Sequence, residues 1–329
     1  MRRRELVAGL GACMLSSVPP QRTEAQQGFR RWIGILSVMP VSPDSPVMLA
    51  FRRGLAESGF FEEQNISFEF RWGLRLREIA QDLLSRNPAM IVALSGPGPV
   101  LALKAATSTV PIVFISGLDP ITYGYVSSLN RPGGNITGIT FMSTETIGKR
   151  LNLLFELVPQ AETIGYLSGP GTDPVGRDWI ARTIESAKAL GREIVVEEVR
   201  RNADIEKAFA SFVERRVSAI TVAVDVIFAE PSRTQAVIEF AARYKLPAVY
   251  GDWFYTRRGG LMSYAADMDT LYHQLGREYV APILKGAKPA DLPVQQPTKF
   301  NLVINLKAAR ALGLTIPETL LATADELIQ

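Results

Sequence analysis

The segment MIVALSGPGPVLALKAATSTVPIVFISGLDP, residues 90–120, contains one complete strand–helix–strand unit. The apolar runs 90–94 and 111–115 have the length of buried strands, and each stops at a cluster of Ser, Gly, Pro or Asp. Between them, residues 101–106 have the composition of a helix. This order predicts a right-handed βαβ crossover, in which the two strands run parallel.

The same alternation continues outward from this unit in both directions. Because strands and helices alternate strictly, the sequence predicts an α/β fold of two Rossmann-like, doubly wound parallel sheets. A chain of 329 residues is also longer than one hydrophobic core usually serves. The predicted strands lie at 32–36, 65–70, 90–94, 111–115 and 135–140, and then, after a boundary near residues 141–144, at 162–167, 193–199, 219–224 and 247–250.

Residues 1–27 have the pattern of an export signal. Arg2, Arg3 and Arg4 precede the apolar run 6–18, and small residues around Ala25 suit a signal peptidase. The paired arginines also fit a twin-arginine signal, so this route and the general export route both stay open. The single cysteine, Cys13, stands in the sequence LGAC and is a candidate for acylation. We therefore expect a periplasmic protein, with a lipid-anchored form as the alternative.

Composition and charge exclude several classes of function. The leader carries four arginines and two glutamates, so its removal lowers the formal net charge from +3 to +1. A near-neutral protein lacks the basic surface that binds nucleic acid. Without Cys13 the chain has no cysteine, and His273 is its only histidine. Because metal-binding, P-loop and G-x-G-x-x-G motifs are also absent from the sequence, we expect no metal, no cofactor and no catalytic residue.

The loops that follow the predicted strands carry a common chemistry in both halves of the chain. Ligands of open parallel sheets bind at the carboxyl ends of the strands, where these loops lie. Hydroxyls and glycine amides suit a carboxylate, aspartates suit an ammonium, and aromatic rings cover an apolar body. The same residue types also form ordinary turns. The loops predict a site for a small polar metabolite, an amino acid being one candidate, with the ligand-binding residues Ser37, Ser95, Gly96, Ser116, Asp119, Thr140, Ser168, Asp225 and Trp253, the last from the loop GDWF at 251–254.

Residues 129–138, LNRPGGNITG, resemble the segment L-x-R-P-G-G-N-x-T-G of the ABC transporter substrate-binding protein family related to TrpX. The stretches at 51–60, 110–120, 260–264 and 305–317 are similar to further segments of that family, so the resemblance extends from about Trp32 to the C-terminus. Two loops depart from the family pattern. The loop SGPG at 168–171 replaces an asparagine–proline turn, and WGLR at 72–75 lacks an acidic residue. The identity of the ligand therefore stays open, with aromatic amino acids as one candidate among several.

The resemblance implies a type I periplasmic-binding-protein fold, in which a three-strand hinge joins two lobes around a ligand. We expect residues 28–141 and about 266–295 in the N-terminal lobe, and residues 142–265 and about 296–329 in the C-terminal lobe. The implied function is that of a solute-binding protein of an ABC importer, and the implied partners are a small-molecule ligand, the permease and its ATPase. Contact with a membrane would come only through the permease or an anchor at Cys13.

Two other functions stay open. The chain could be a ligand-sensing input protein for a membrane receptor, because the same fold serves that purpose and the receptor would be another chain. It could also be a carboxylate-based enzyme on the same fold.

Overall fold

The computed structural model of the protein describes residues 31–142, 144–172 and 174–329. The predicted leader 1–27, including Cys13, lies outside these residues. Among the helices of the described part of the chain, none is long and apolar enough to cross a membrane.

The first half of the chain forms a five-stranded parallel sheet, as its sequence predicts. Its strands stand in the order β2-β1-β3-β4-β5, and every residue of β3, β4 and β5 is buried. Complete burial is the reason these strands read as continuous apolar runs. The elements are β1 (Arg31–Ser37), α1 (Pro46–Ala56), β2 (Ile66–Trp72), α2 (Leu76–Ser85), β3 (Met90–Ala93), α3 (Pro97–Ala106), β4 (Ile112–Ser116) and β5 (Ile136–Thr140).

Helix α3 begins at Pro97, four residues earlier than the predicted helix at 101–106. Proline is well tolerated in the first turn of a helix, because its missing N–H would have no partner there. The Gly-Pro pairs of the loop at 95–99 therefore lead into the helix instead of separating it from the strand. As a result, Gly96 stands directly at the start of α3.

A second sheet with the same winding follows. Strands β6 to β10 run parallel, in the order β10-β9-β8-β6-β7. Its elements are α4 (Ile147–Leu157), β6 (Thr163–Ser168), α5 (Pro174–Ala189), β7 (Glu193–Glu198), α6 (Asn202–Glu214), β8 (Ala219–Val222), α7 (Pro231–Arg243), β9 (Ala248–Tyr250), α8 (Phe254–Arg257) and β10 (Met262–Ala266). We call each sheet with the helices packed against it a lobe.

The chain then returns to the first lobe. After β10 it forms α9 (Met268–Gln274), a π-helical stretch (Leu275–Val280) and α10 (Ala281–Leu284). Buried side chains of this segment, such as Leu271 and Val280, pack in one cluster with Ile33 of β1. The segment is therefore part of the first lobe, although the strand before it belongs to the second sheet.

Two glycines allow the returning segment to cross α1 at close range. A Cβ on Gly54 would overlap the carbonyl oxygen of His273, and a Cβ on Gly276 would overlap the carbonyl oxygen of Phe51. Each helix thus presents a residue without a side chain to the backbone of the other. This crossing fixes the returning segment to the first lobe.

The last part of the chain completes the second sheet: β11 (Phe300–Asn305), α11 (Leu306–Leu312), α12 (Glu318–Thr323) and β12 (Glu326–Ile328). Strand β11 pairs antiparallel with β10, so the second sheet is mixed and not purely parallel as predicted. The physical reason is the direction of entry. The chain reaches β11 from the first lobe and not through a crossover helix on the second sheet.

The chain passes between the lobes at three places: between β5 and α4, at Asp267, and at 295–299. The first and third passages lie side by side, because Gln295 bridges to Ile139 and its carbonyl accepts the N–H of Thr140 at 3.0 Å. Three short connections between two lobes are the arrangement that the resemblance implies for a hinge. The residue boundaries given above for the lobes stay a prediction.

We expect Gly54→Ala to lower the free energy of unfolding by about 3 kcal/mol, because the helices must separate to admit a methyl group. Gly148→Ala, in α4, is the matched control, since a Cβ there meets nothing within 4 Å. It should stabilise by about 0.5 kcal/mol through helix propensity. Urea unfolding of both variants measures the difference. Equal stabilities would show that the helices do not cross as closely as described.

Candidate ligand-binding cleft

A cavity of about 700 Å³ lies between the two lobes. Its first wall consists of loops that follow the first-lobe strands, and its second wall consists of loops that follow β6, β8 and β9 together with the start of α5. This is where the carboxyl ends of the strands of both sheets meet, and open α/β sheets bind ligands at that edge. The cavity is the candidate ligand site.

The structure brings four of the nine sequence-predicted residues to the wall of the cavity: Ser95, Gly96, Ser168 and Asp225. The other five stand beside or behind it. Trp253 lies in the chain between the lining residues Asp252 and Phe254. Contact of any of the nine residues with a ligand stays a prediction.

The remaining four predicted residues hold the cleft loops in place. Ser37 is buried and donates a hydrogen bond to Oγ of Ser95 at 2.9 Å. Thr140 donates to the carbonyl of Leu118 at 2.7 Å, and Ser116 accepts from the N–H of Leu118. Asp119 accepts hydrogen bonds from the N–H of Ile121 and the hydroxyl of Thr122, at 2.9 and 2.6 Å.

The lobes touch each other across the cavity. Gly96, at the start of α3, has a φ of +93°, and a Cβ on it would lie 3.9 Å from Cγ1 of Val226. A single carbon added to Gly96 would thus just reach contact with Val226, so the gap between the lobes is narrow at this point. Leu118 of the first lobe is 5 % exposed and packs within the core cluster of the second lobe. The cleft is therefore narrow in this structure.

Aromatic side chains form much of the wall. Phe141 stands at the first passage between the lobes, whereas Tyr166, Trp179 and Phe254 belong to the second lobe. Phe254 is supported from behind, since its ring stacks on Tyr255 at a centroid distance of 4.9 Å. The indole N–H of Trp179 has no hydrogen-bond partner among the described residues. Rigid rings of this kind are suited to covering a flat, apolar ligand body.

Three carboxylates line the cavity, and two of them cap turns. Asp225 accepts a hydrogen bond from the N–H of Ile227 at 2.9 Å, and its other oxygen packs so closely on Gly169 that a Cβ there would overlap it. Glu230 is the N-cap of α7 and accepts from the N–H groups of Ser232 and Arg233, each at 3.1 Å. Bonds from Ser232 lower the pKa of Glu230 below its usual range.

Asp252 is different. Within the described residues, no hydrogen bond to its carboxylate and no ion pair within 4.0 Å is found, although the group is partly buried in the cavity wall. Burial raises the pKa of Asp252 to about 6, with Arg150 lowering it and Asp225 raising it further. A carboxylate in this position is poised to accept a hydrogen bond from a ligand.

Arg150 is the cation that acts on the pKa of Asp252. It lies on α4, is 4 % exposed and donates a hydrogen bond to the hydroxyl of Thr146. Burial lowers the pKa of Arg150 to about 10, so it stays charged at neutral pH. A Cβ on Gly251 would lie 3.2 Å from the guanidinium carbon, which places Arg150 directly behind the loop that carries Asp252.

Sequence reasoning missed Asp252, Arg150 and the aromatic wall residues. Asp252 stood in the quoted loop GDWF, but only Trp253 was selected from it. Position after a strand does not distinguish an aspartate that caps a turn from one that has no partner. For Trp179 and Arg150 the sequence contains no signal of a role in the cleft. Both lie inside amphipathic helices, and the pattern of such a helix does not tell which of its residues reach a cavity.

Neither a cluster of metal-ligating residues nor the histidine is found at the cleft in the described part of the chain. In the described part of the chain, no cluster of three or more His, Cys, Asp or Glu residues could hold a metal ion. His273 lies on α9, where its Nε2 stands 2.9 Å from the carboxylate of Glu57 at the surface.

Comparisons with known proteins cover nearly the whole chain. The model of the family described as ABC transporter substrate binding protein matches residues 44–328. The tyrosine-binding protein of Clostridioides difficile (strain R20291) is 25% identical over 323 residues, which are 94% of this chain and 91% of that protein.

Two solved structures are also similar to this chain. A conserved domain protein from Vibrio cholerae has 29% identity and a TM-score of 0.79, covering 90% of this chain and 99% of its own. An ABC domain in complex with L-Trp, from Streptococcus pneumonia, has 26% identity and a TM-score of 0.78, covering 91% and 100%.

The unpartnered carboxylate should cost stability at neutral pH. Because its folded pKa of about 6 lies above the unfolded value, stability is lost as the pH rises through the interval from about 4 to 6. We expect Asp252→Asn to stabilise the ligand-free protein by about 2 kcal/mol at pH 7.5, since solvent in the cleft screens part of the two-unit shift.

Urea unfolding at pH 7.5 and pH 4 tests this expectation. The gain should vanish at pH 4, where the native carboxyl is already protonated. Asp178→Asn, which removes an exposed carboxylate on α5, should change stability by less than about 0.5 kcal/mol at both pH values. A destabilised Asp252→Asn variant would contradict the description of this side chain as unpartnered.

Proposed function

We propose that this chain, which belongs to the ABC transporter substrate-binding protein family, binds an amino acid with an aromatic side chain between its two lobes. The observation that carries the proposal is the wall of the cavity, which combines four aromatic rings with neutral polar groups of the first lobe and carboxylates of the second. Its volume of about 700 Å³ is in the usual range for small-molecule sites.

The two ends of an amino acid find complementary chemistry on opposite walls. On the first lobe, the hydroxyl of Ser95 and the backbone at Gly96 offer neutral groups that suit a carboxylate. On the second lobe, Asp225 and Asp252 offer charge for an ammonium. The named ligands of two similar proteins, tyrosine and L-Trp, are aromatic amino acids and support the same class.

Binding would proceed by closure of the lobes about the hinge. The three passages between the lobes are short, and the packing of Leu118 into the core cluster of the second lobe supports walls that can approach closely. A ligand that touches both walls favours the closed arrangement, because it gains its full set of contacts only there.

In this proposal, the ligand-bound form delivers its amino acid to a membrane permease driven by an ATPase, as part of an importer outside the cytoplasm. Family membership supports the permease as partner and supports binding, not catalysis, as the role of the cleft. The leader at 1–27 is consistent with export, and a lipid anchor at Cys13 would keep the protein near the permease.

We expect L-tyrosine or L-tryptophan at about 100 times its dissociation constant to raise the melting temperature by about 5 °C. A thermal-shift titration measures the effect, with glucose as a ligand of the wrong class. Phe254→Ala should weaken binding about tenfold, whereas Phe240→Ala, which removes an equally half-buried ring remote from the cavity, should not. A protein that no amino acid stabilises would contradict the proposed function.

We also expect the ligand to make the protein more compact in solution. Small-angle scattering of the ligand-free protein and of the protein saturated with amino acid should give a smaller radius of gyration in the saturated sample, because closure brings the lobes together. Glucose at the same concentration should leave the radius unchanged. An identical radius with bound amino acid would rule out closure by hinge motion.

A further inference from the structure

The hydrogen bonds of the cavity wall separate Asp252 from the other two carboxylates. Asp225 and Glu230 already accept backbone N–H groups, at 2.9 and 3.1 Å, and so stabilise the turns on which they stand. The acceptor capacity of Asp252 is unused by every described residue. A carboxylate has about four acceptor positions, and leaving them dry in a closed cleft is costly.

The same wall offers no cation. Among the described residues that line the cavity there is no Lys, Arg or His, in contrast to its three carboxylates. Arg150 does not line the cavity, and it is engaged with Thr146. A ligand carboxylate would therefore meet only neutral hydroxyl and amide groups, whereas a ligand ammonium would meet full negative charge.

We propose that the carboxylate of Asp252 receives the primary ammonium of the ligand, so that the cleft requires an amine and does not require the ligand's carboxylate. This inference rests on the proposed function and narrows it. The ligand class becomes primary amines attached to an aromatic body, with aromatic amino acids as one subset. Deaminated aromatic acids fall outside the class, since they carry no cation and would leave Asp252 and Asp225 without a counter-charge.

The groups around Asp252 favour this role. Arg150, behind the loop, lowers the pKa of Asp252 and so favours its ionised form. Asp225 adds a second negative charge that attracts a cation. The hydroxyl of Tyr255 is buried near Asp252 and has no partner in the described residues, so it is a further neutral donor near the carboxylate. An arriving ammonium would supply the charged donor that the wall lacks and would favour the ionised carboxylate.

Calorimetric titration with matched pairs of ligands tests the proposal. The probes are L-tryptophan, tryptamine, which lacks the carboxylate, and indole-3-propionate, which lacks the amine; L-tyrosine, tyramine and the corresponding deaminated acid repeat the comparison. We expect each amine to bind within about tenfold of its amino acid, and each deaminated acid to bind about 100-fold more weakly or not at all. Deaminated acids that bind as tightly as the amino acids would overturn the proposal.

The variant Asp252→Asn provides an independent measurement. It should weaken the binding of tryptamine and L-tryptophan about 100-fold while remaining folded, which circular dichroism and its unfolding curve verify. Asp178→Asn, with its exposed carboxylate, should bind like the wild type. If Asp252→Asn keeps wild-type affinity for the amines, another group receives the ammonium and the proposal is wrong.

The pH profile separates a charge interaction from a merely structural role. In the wild type, affinity for tryptamine should fall about tenfold for each pH unit below about 6, because a proton then competes with the ammonium for Asp252. In Asp252→Asn this dependence should disappear. A flat profile in the wild type, or the same slope in both proteins, would contradict the assignment.

These outcomes also distinguish the inference from the proposed function. If the amines bind through Asp252 but no amino acid binds, the inference stands and the proposed ligand is wrong. If amino acids bind and removal of their amine has no effect, the proposed function stands and the inference fails. If no probe carrying an amine binds, both fail.

Discussion

The close crossing of two helices holds the whole arrangement together. Because Gly54 and Gly276 carry no side chains, α1 and the returning helical segment approach to backbone contact, and the segment is fixed to the first lobe. The chain must therefore leave the second sheet after β10 and re-enter it at β11. That detour produces the second and third passages between the lobes. Without it a single connection would join the sheets.

The direction of the strands determines what lies in the cleft. In both sheets the loops after the strands face the other lobe, so turn-forming residues collect on the cavity walls. Many polar groups of these loops are used locally: Asp119, behind the wall, and Asp225 and Glu230, on it, all accept backbone N–H groups. A polar residue at a strand end is thus more often a cap than a ligand contact. Recognition is left to the groups that the turns do not need, Asp252 above all.

This distinction limits what could be predicted from the sequence. Strands such as β3 and β4 were predictable to within a residue or two, because complete burial in a parallel sheet imposes a continuous apolar run. The antiparallel β11 was not, since its direction depends on where the helical segment before it is packed. The importance of Asp252 was equally hidden, because two aspartates after two strands look alike until the hydrogen bonds of each are known.

The same carboxylate connects the proposed specificity with the proposed closure. In an open cleft, water hydrates Asp252 and its charge costs little. Closing the lobes without a ligand excludes part of that water while Arg150 compensates only in part, as the pKa of about 6 reflects. An ammonium ligand restores the missing interaction, so closure becomes favourable only when an amine is present. A ligand without one would leave the penalty in place, even if its ring filled the aromatic wall. Discrimination then comes from the free energy of closing as much as from contact with the ligand.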